Sequence, residues 1–158
     1  MKLLISIFIT YLILSCSSDE TSYNLNDKLS YLALGDSYTI GEGIDFNDSY
    51  PSQLKSEISQ IDSLRVIAKT GWTTNELIDT LNNSSIGKYD IVSLLIGVNN
   101  QYRGYNLNIY KIEFENLLIR AINFSHSKKN IFVLSIPDYG VTPFGKTRNQ
   151  EKIGRAHV

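Results

Sequence analysis

Four short apolar runs divide this amino-acid sequence, and they constrain its fold more than any other feature. The runs cover residues 31–34, 64–68, 90–96 and 130–136, and they are rich in Ile, Val and Leu. They mostly lack the alternation of polar and apolar residues that marks a strand with one face in water. Continuous apolar runs of this length are typical of strands buried on both faces. We therefore predict a mostly parallel sheet that is covered on both sides.

Amphipathic helical patterns lie between the apolar runs. The first spans residues 50–61 and has Pro51 in a position that suits a first helical turn. Thr73 and Glu76 fit a capping box ahead of the second. The third has the longest apolar stripe, formed by Tyr110, Phe114, Leu117, Leu118, Ala121 and Ile122. This alternation of strands and helices predicts an α/β protein with three layers, α/β/α, and right-handed crossovers, as in flavodoxin-like folds.

Composition indicates one globular domain and excludes some classes of partner. The chain has 158 residues, of which 42% are hydrophobic and 20% are charged, and its formal net charge is -1. This is enough apolar material for one packed core. The near-neutral charge gives no electrostatic reason to expect nucleic acid as a partner. We assign residues 29–150 to this domain.

The amino-terminal segment has the features of a lipoprotein signal. Lys2 precedes an apolar stretch over residues 3–14, which is too short for a comfortable membrane span. Ser15 and Cys16 follow this stretch, and Cys16 is the only cysteine of the sequence. Its context resembles the lipobox of bacterial lipoproteins. We expect residues 1–15 to be a signal peptide and Cys16 to carry a lipid that anchors the protein to a membrane. The alternative is an ordinary secretory signal with an incidental cysteine.

A polar tether follows the cysteine, and we assign residues 16–28 to it. Acidic residues directly after the lipidated cysteine resemble those that direct some lipoproteins of Gram-negative bacteria to the cell surface, and Asp19 and Glu20 occupy such positions. The expected location is therefore the outer membrane of the bacterial cell envelope. The protein would lie on either its periplasmic face or its surface face.

Three of the apolar runs end in a distinctive polar or glycine feature. The first ends in Gly35-Asp36-Ser37, the second in Lys69-Thr70-Gly71-Trp72, and the third in Gly97-Val98-Asn99-Asn100. In an open parallel sheet, ligands bind beyond the carboxyl ends of the strands, so all three features should share one edge. A serine there would be placed to act as a nucleophile.

These residues resemble the three sequence blocks of the SGNH (GDSL-type) hydrolase family, and the resemblance extends from about residue 29 to about residue 145. It implies the three-layer fold and a serine-dependent hydrolase of carboxylic esters. Ser37 matches the nucleophile, and the backbone of Ser37, the backbone of Gly71 and the side chain of Asn99 match the donors of the oxyanion hole. Asn100 departs from the family pattern, which has aspartate there. The resemblance implies an ester substrate and neither a metal nor an organic cofactor.

Each of these features also has a purely structural interpretation. Asp36 or Ser37 could simply cap a helix, Gly71 could be a turn residue, and Asn99 could close a loop. The glycines at 41 and 43 do not belong to a phosphate-binding pattern, because neither Gly-x-Gly-x-x-Gly nor a Walker motif is present. A Gly-x-Ser-x-Gly elbow is also absent, which disfavours the α/β-hydrolase arrangement.

The histidine that a serine nucleophile requires has no good candidate in this sequence. The family carries Asp-x-x-His near its carboxyl terminus, and this motif does not occur here. His126 lies before the fourth apolar run and should therefore be at the opposite edge of the sheet. Gly154 precedes His157 by three residues, where the family has the acid.

The last seven residues match the translation of a widely used sequencing adapter. We therefore expect residues 151–158 to be a non-native tail, the domain to be incomplete at its carboxyl end, and the chain as given to be inactive. A missing final helix would leave an apolar face of the sheet exposed.

Two functions remain open at the level of sequence. The first is hydrolysis of carboxylic esters through an acyl-serine intermediate, on lysophospholipids, short acyl esters, thioesters or O-acetyl groups of glycans. The alternative is a non-catalytic envelope lipoprotein that binds a glycan or a lipid.

Overall fold

The computed structural model of the protein describes residues 27–143 and 145 and contains one four-stranded sheet. Its strand order is β2-β1-β3-β4, and every pair is parallel, as predicted. The strands are β1 (Leu29–Gly35), β2 (Ile61–Ala68), β3 (Ile91–Leu95) and β4 (Ile131–Val133).

Two of the strand predictions were wrong in detail. The run 130–136 forms a strand only over Ile131–Val133, because its neighbour β3 turns away after Leu95 and no pairing partner continues beside it. The run 64–68 begins earlier, at Ile61, and it is not buried on both faces. It is an edge strand, and Asp62, Ser63 and Arg65 are exposed along it.

Five helices connect the strands. They are α1 (Ser37–Ile40), α2 (Tyr50–Glu57), α3 (Thr74–Asn82), α4 (Val98–Tyr102) and α5 (Leu107–Phe124). The predicted capping box is present at α3, where the backbone N–H of Thr73 donates to Glu76 Oε2 at 2.8 Å. The pattern over 50–61 predicted a longer helix than α2. The helix ends at Glu57 because Ile58 is extended, and Ile61 already belongs to β2.

The helices lie on both faces of the sheet and bury its alternate residues. Leu32, Leu34, Val92 and Leu94 pack with side chains of α3 and α5 in the main core. The intervening residues Tyr31, Ala33 and Ser93 point to the opposite face. There α2 packs against β2, and the hydroxyls of Tyr31 and Tyr50 lie 2.7 and 3.2 Å from Ser93 Oγ. The three-layer α/β/α prediction is confirmed.

The sheet is less covered at β4 than elsewhere, on both of its faces. Phe132 and Val133 are 55% and 50% exposed, and an open groove of about 450 Å³ runs between this strand and α5. Tyr110, Phe114 and Leu118 of α5 line the groove. Across the described part of the chain, no helix has the length and hydropathy required to cross a membrane.

Candidate active site

Strands β1, β2 and β3 end at the same level of the sheet. Gly35, the last residue of β1, pairs with Ala68 of β2 on one side and with Leu95 of β3 on the other. The chain leaves all three strands within one or two residues of this row. The polar features that follow the strands therefore share one edge, as the sequence predicted.

Ser37 is the first residue of α1, directly after this row. The preceding Asp36 caps the helix, because its Oδ1 accepts a hydrogen bond of 3.0 Å from the backbone N–H of Tyr38. The capping interpretation therefore holds for Asp36 and not for Ser37. Among the described residues, none forms a hydrogen bond with the Ser37 hydroxyl, which lines a pocket of about 210 Å³.

The carboxyl group of Asp36 is fully buried beneath the site. Burial raises the pKa of Asp36 to about 6, since the low-dielectric interior disfavours the charged form. The hydrogen bond from the backbone N–H of Tyr38 opposes this effect by stabilising the carboxylate.

Asn99 lines the same pocket as Ser37, together with Tyr38, Val98, Tyr102 and Tyr139. It lies in the first turn of α4, after Gly97, whose φ of +129° favours glycine. The Asn99 side chain donates from Nδ2 to the carbonyl of Trp72 at 2.9 Å. A side-chain amide carries two N–H donors. In the described part of the chain, only Trp72 accepts from this amide, so one donor stays available to a ligand.

Gly71 lies beside Asn99, in a tight turn after β2. The turn closes with a hydrogen bond of 3.2 Å from the Trp72 N–H to the carbonyl of Lys69, and Gly71 has a φ of +81° within it. The structure thus brings Ser37 and Asn99 into one pocket and places Gly71 next to it, connected through the Asn99–Trp72 hydrogen bond.

Two residues that were not predicted hold the turn and the start of α3. Arg103, the residue that ends α4, donates from Nη2 to the carbonyl of Gly71 at 2.7 Å. Asn100 is buried, accepts from the Thr74 N–H at 3.0 Å and donates to Thr74 Oγ1 at 2.7 Å. The Thr74 hydroxyl in turn donates to Glu113 of α5. The departure from aspartate at position 100 was the one sequence signal that pointed to this network.

The structure provides no base beside Ser37 within residues 27–143 and 145. His126 is exposed, and its backbone N–H donates to the carbonyl of Tyr89 at 3.0 Å, just before β3 begins. This is the amino edge of the sheet, opposite Ser37, as predicted. His157 and Cys16 lie outside the described residues. Within the described residues, there is no group of three His, Cys, Asp or Glu side chains that could hold a metal.

The fold is thus a parallel three-layer α/β fold that has a serine, a glycine turn and an asparagine at the carboxyl edge of its sheet. The GDSL-like lipase/acylhydrolase family matches residues 33–157, and the chain belongs to this family. A comparison with curated proteins finds no match.

Several solved structures share the fold. AlinE4, an SGNH-hydrolase family esterase, is 24% identical, with a TM-score of 0.56 over 70% of this chain and 60% of its own. A G-D-S-L family lipolytic protein from Desulfitobacterium hafniense is 18% identical, with a TM-score of 0.60 over 82% and 68%. Phospholipase A1 from Streptomyces albidoflavus is 20% identical, with a TM-score of 0.55 over 82% and 71%. The present chain therefore spans about three fifths of the length of AlinE4.

Proposed function

We propose that the protein hydrolyses carboxylic esters through an acyl-serine intermediate formed on Ser37. The main support is the pocket that Ser37 shares with Asn99, because it places a hydroxyl and an amide donor around one small space. Membership of the GDSL-like lipase/acylhydrolase family and the likeness to esterase structures agree with this activity.

The chemistry assigns a role to each of the three residues. Ser37 Oγ attacks the ester carbonyl carbon and loses its proton to a general base, and the carbonyl oxygen becomes an oxyanion. The backbone N–H groups of Ser37 and Gly71 and the free amide donor of Asn99 stabilise that oxyanion. Collapse of the intermediate expels the alcohol, which takes up the proton, and leaves an ester on Ser37. Water then hydrolyses this ester and releases the carboxylic acid.

We further propose that the general base belongs to an Asp-x-x-His segment of the native protein that is not among these 158 residues. This motif is absent from the sequence, and His126 is at the wrong edge of the sheet. Without a base, turnover falls by about 10⁶. The 158-residue chain is therefore expected to hydrolyse p-nitrophenyl acetate at no more than the background rate, and turnover that disappears in Ser37→Ala would contradict this expectation.

A fluorophosphonate probe tests the nucleophile in the whole protein, by which we mean the proposed native chain with its Asp-x-x-His segment. We expect the probe to label wild-type protein and Ser63→Ala, a matched change on the exposed edge strand, and not to label Ser37→Ala. Mass spectrometry of the labelled peptide identifies the modified serine. A folded whole protein whose Ser37 stays unlabelled would refute the proposal.

We also propose that Cys16 carries the lipid anchor and that the protein resides in a bacterial outer membrane. The support is the position of Cys16, the only cysteine, directly after an apolar stretch. Metabolic labelling with an alkyne fatty acid should mark the wild-type protein and leave Cys16→Ala unmarked. Absence of the label from both proteins would point to an ordinary secretory signal instead, and equal labelling of both would place the lipid at another residue.

A non-catalytic lipoprotein that binds a glycan or a lipid is the second candidate. The observation that favours it is the Ser37 hydroxyl without a hydrogen-bonding base among the described residues. An unlabelled Ser37 in the fluorophosphonate experiment, combined with binding of a labelled glycan or lipid by the same protein, would select this function.

A further inference from the structure

Arg103 connects the turn that contains Gly71 to the start of α3. Its Nη2 donates to the carbonyl of Gly71 at 2.7 Å, and its Nη1 lies 3.4 Å from Glu76 Oε2. The same Glu76 oxygen accepts from the Thr73 N–H. The guanidinium therefore spans two consecutive pieces of backbone, the turn itself and the first turn of the helix that follows.

The turn is held more by side chains than by its own backbone hydrogen bonds. A single backbone hydrogen bond of 3.2 Å closes it, and the positive φ of Gly71 is one that other residues rarely adopt. The remaining support comes from side chains. Asn99 donates to the Trp72 carbonyl, Arg103 to the Gly71 carbonyl, and the Thr70 hydroxyl donates to Glu42 on the loop after α1.

We propose that Arg103 is a positioning residue that fixes the orientation of Gly71 for the reaction, and this inference rests on the proposed ester hydrolysis. The planar fork of arginine reaches the carbonyl and the carboxylate together, and a lysine ammonium on its flexible stem does not reproduce that geometry. Because both side chains of the Arg103–Glu76 pair are about two fifths exposed, the pair itself contributes little to global stability. Its loss should therefore change the turn and leave the fold intact.

Hydrogen exchange of the Trp72 N–H tests the effect on the turn without any need for turnover. In Arg103→Gln we expect this N–H to exchange on the order of tenfold faster, because a lost hydrogen bond of this strength makes the turn open more often. Arg120→Gln is the matched control, since Arg120 is another surface arginine that makes two hydrogen bonds of 2.7 Å, to Asn116 and Asn82. Unchanged exchange at Trp72 in Arg103→Gln would overturn the proposal.

Kinetics of the whole protein test the effect on the reaction. We expect Arg103→Gln to lower kcat by about 10- to 100-fold with KM changed less than about twofold, because misplacing an oxyanion donor affects the transition state more than the bound ester. Arg103→Lys should fall between wild type and Arg103→Gln, and Arg120→Gln should match wild type. Faster exchange with an unchanged kcat would overturn the positioning role.

The two experiments separate this inference from the proposed function. A wild-type whole protein without ester turnover would refute the proposed function, and with it the catalytic meaning of Arg103. The exchange rate of the Trp72 N–H would still decide whether Arg103 holds the turn.

Discussion

The amide of Asn99 serves two purposes at the level of a single residue. One N–H holds the Trp72 carbonyl at 2.9 Å, and the other is available to the pocket that Ser37 lines. A serine or threonine hydroxyl has only one proton to donate, so neither could hold the loop and stabilise an oxyanion at once. This explains in physical terms why an amide suits this position.

Replacing Asn99 with alanine should therefore reduce turnover strongly. We expect kcat of the whole protein to fall by about 10² to 10³, the usual effect of removing one oxyanion donor. The matched control is Asn75→Ala, which removes an exposed amide of α3 that donates to Asp79 at 3.3 Å. Steady-state kinetics of both variants provide the measurement, and equal kcat values would exclude Asn99 from the oxyanion hole.

Asp36 makes the stability of the fold dependent on pH. Its pKa is about 6 in the folded protein, above the ordinary value of 3.8, because the carboxyl group is buried. The folded state therefore binds the proton more tightly than the unfolded state does. Ionisation of Asp36 costs stability progressively as the pH rises from about 4 to about 6, in total on the order of 3 kcal/mol.

Asp36→Asn should remove this dependence, because an amide does not ionise. We expect wild type to lose stability relative to Asp36→Asn between pH 4 and pH 6, and the difference to stay constant above that window. Urea unfolding at a series of pH values measures it. Asp79→Asn, which removes an exposed carboxylate from α3, is the matched control. A flat difference curve for Asp36→Asn would contradict the assigned pKa.

Helix α4 is the element that organises the site, although it has only five residues. It presents Asn99 to the pocket and Asn100 to Thr74, and Arg103 at its end reaches Gly71. Its entry depends on Gly97, whose φ is +129°, and the ring of Tyr110 occupies the space that a side chain at Gly97 would need. Close packing and backbone conformation therefore both require glycine there.

Gly97→Ala should destabilise the fold by about 2–4 kcal/mol, because backbone strain and a steric clash add. Gly104→Ala is the matched control. Gly104 also has a positive φ, of +71°, but nothing lies near the position of an added Cβ. We expect Gly104→Ala to cost only about 1 kcal/mol. Urea unfolding distinguishes the two costs, and equal values would show that the contact with Tyr110 is unimportant.

The sequence predicted the elements better than their contacts. Continuous apolar runs and the Thr73 capping box were readable because both are local patterns. The role of Arg103 was not readable, since its partner Gly71 is 32 residues away and a single arginine has no pattern. The length of β4 was also missed. The length of β4 depends on where its neighbour β3 ends, and the composition of the run 130–136 does not encode the end of β3.

The two edges of the sheet differ at the scale of the whole molecule. Edge strand β2 exposes Asp62, Ser63 and Arg65, which discourages pairing with another sheet. Edge strand β4 exposes Phe132 and Val133 instead, and Val133 lines the groove along α5. An unprotected apolar edge of this kind favours self-association.

Phe132→Lys should therefore make the 158-residue chain more soluble. We expect less aggregate in light scattering and weaker binding of a hydrophobic dye than in wild type, because the charge interrupts the apolar edge. Phe46→Lys is the matched control, since Phe46 is 48% exposed in a 3-10 helix and not at a sheet edge. Equal improvement by both variants would indicate a general effect of charge.

The common row in which β1, β2 and β3 end makes the site sensitive to strand length. Deleting one residue within β1 would draw Ser37 back by about 3.3 Å and turn the following side chains to the other face of the sheet. Core side chains can be exchanged for others of similar volume without such a shift. Divergence within this fold should therefore change the side chains of the layers and the loops much sooner than the number of residues in β1, β2 and β3.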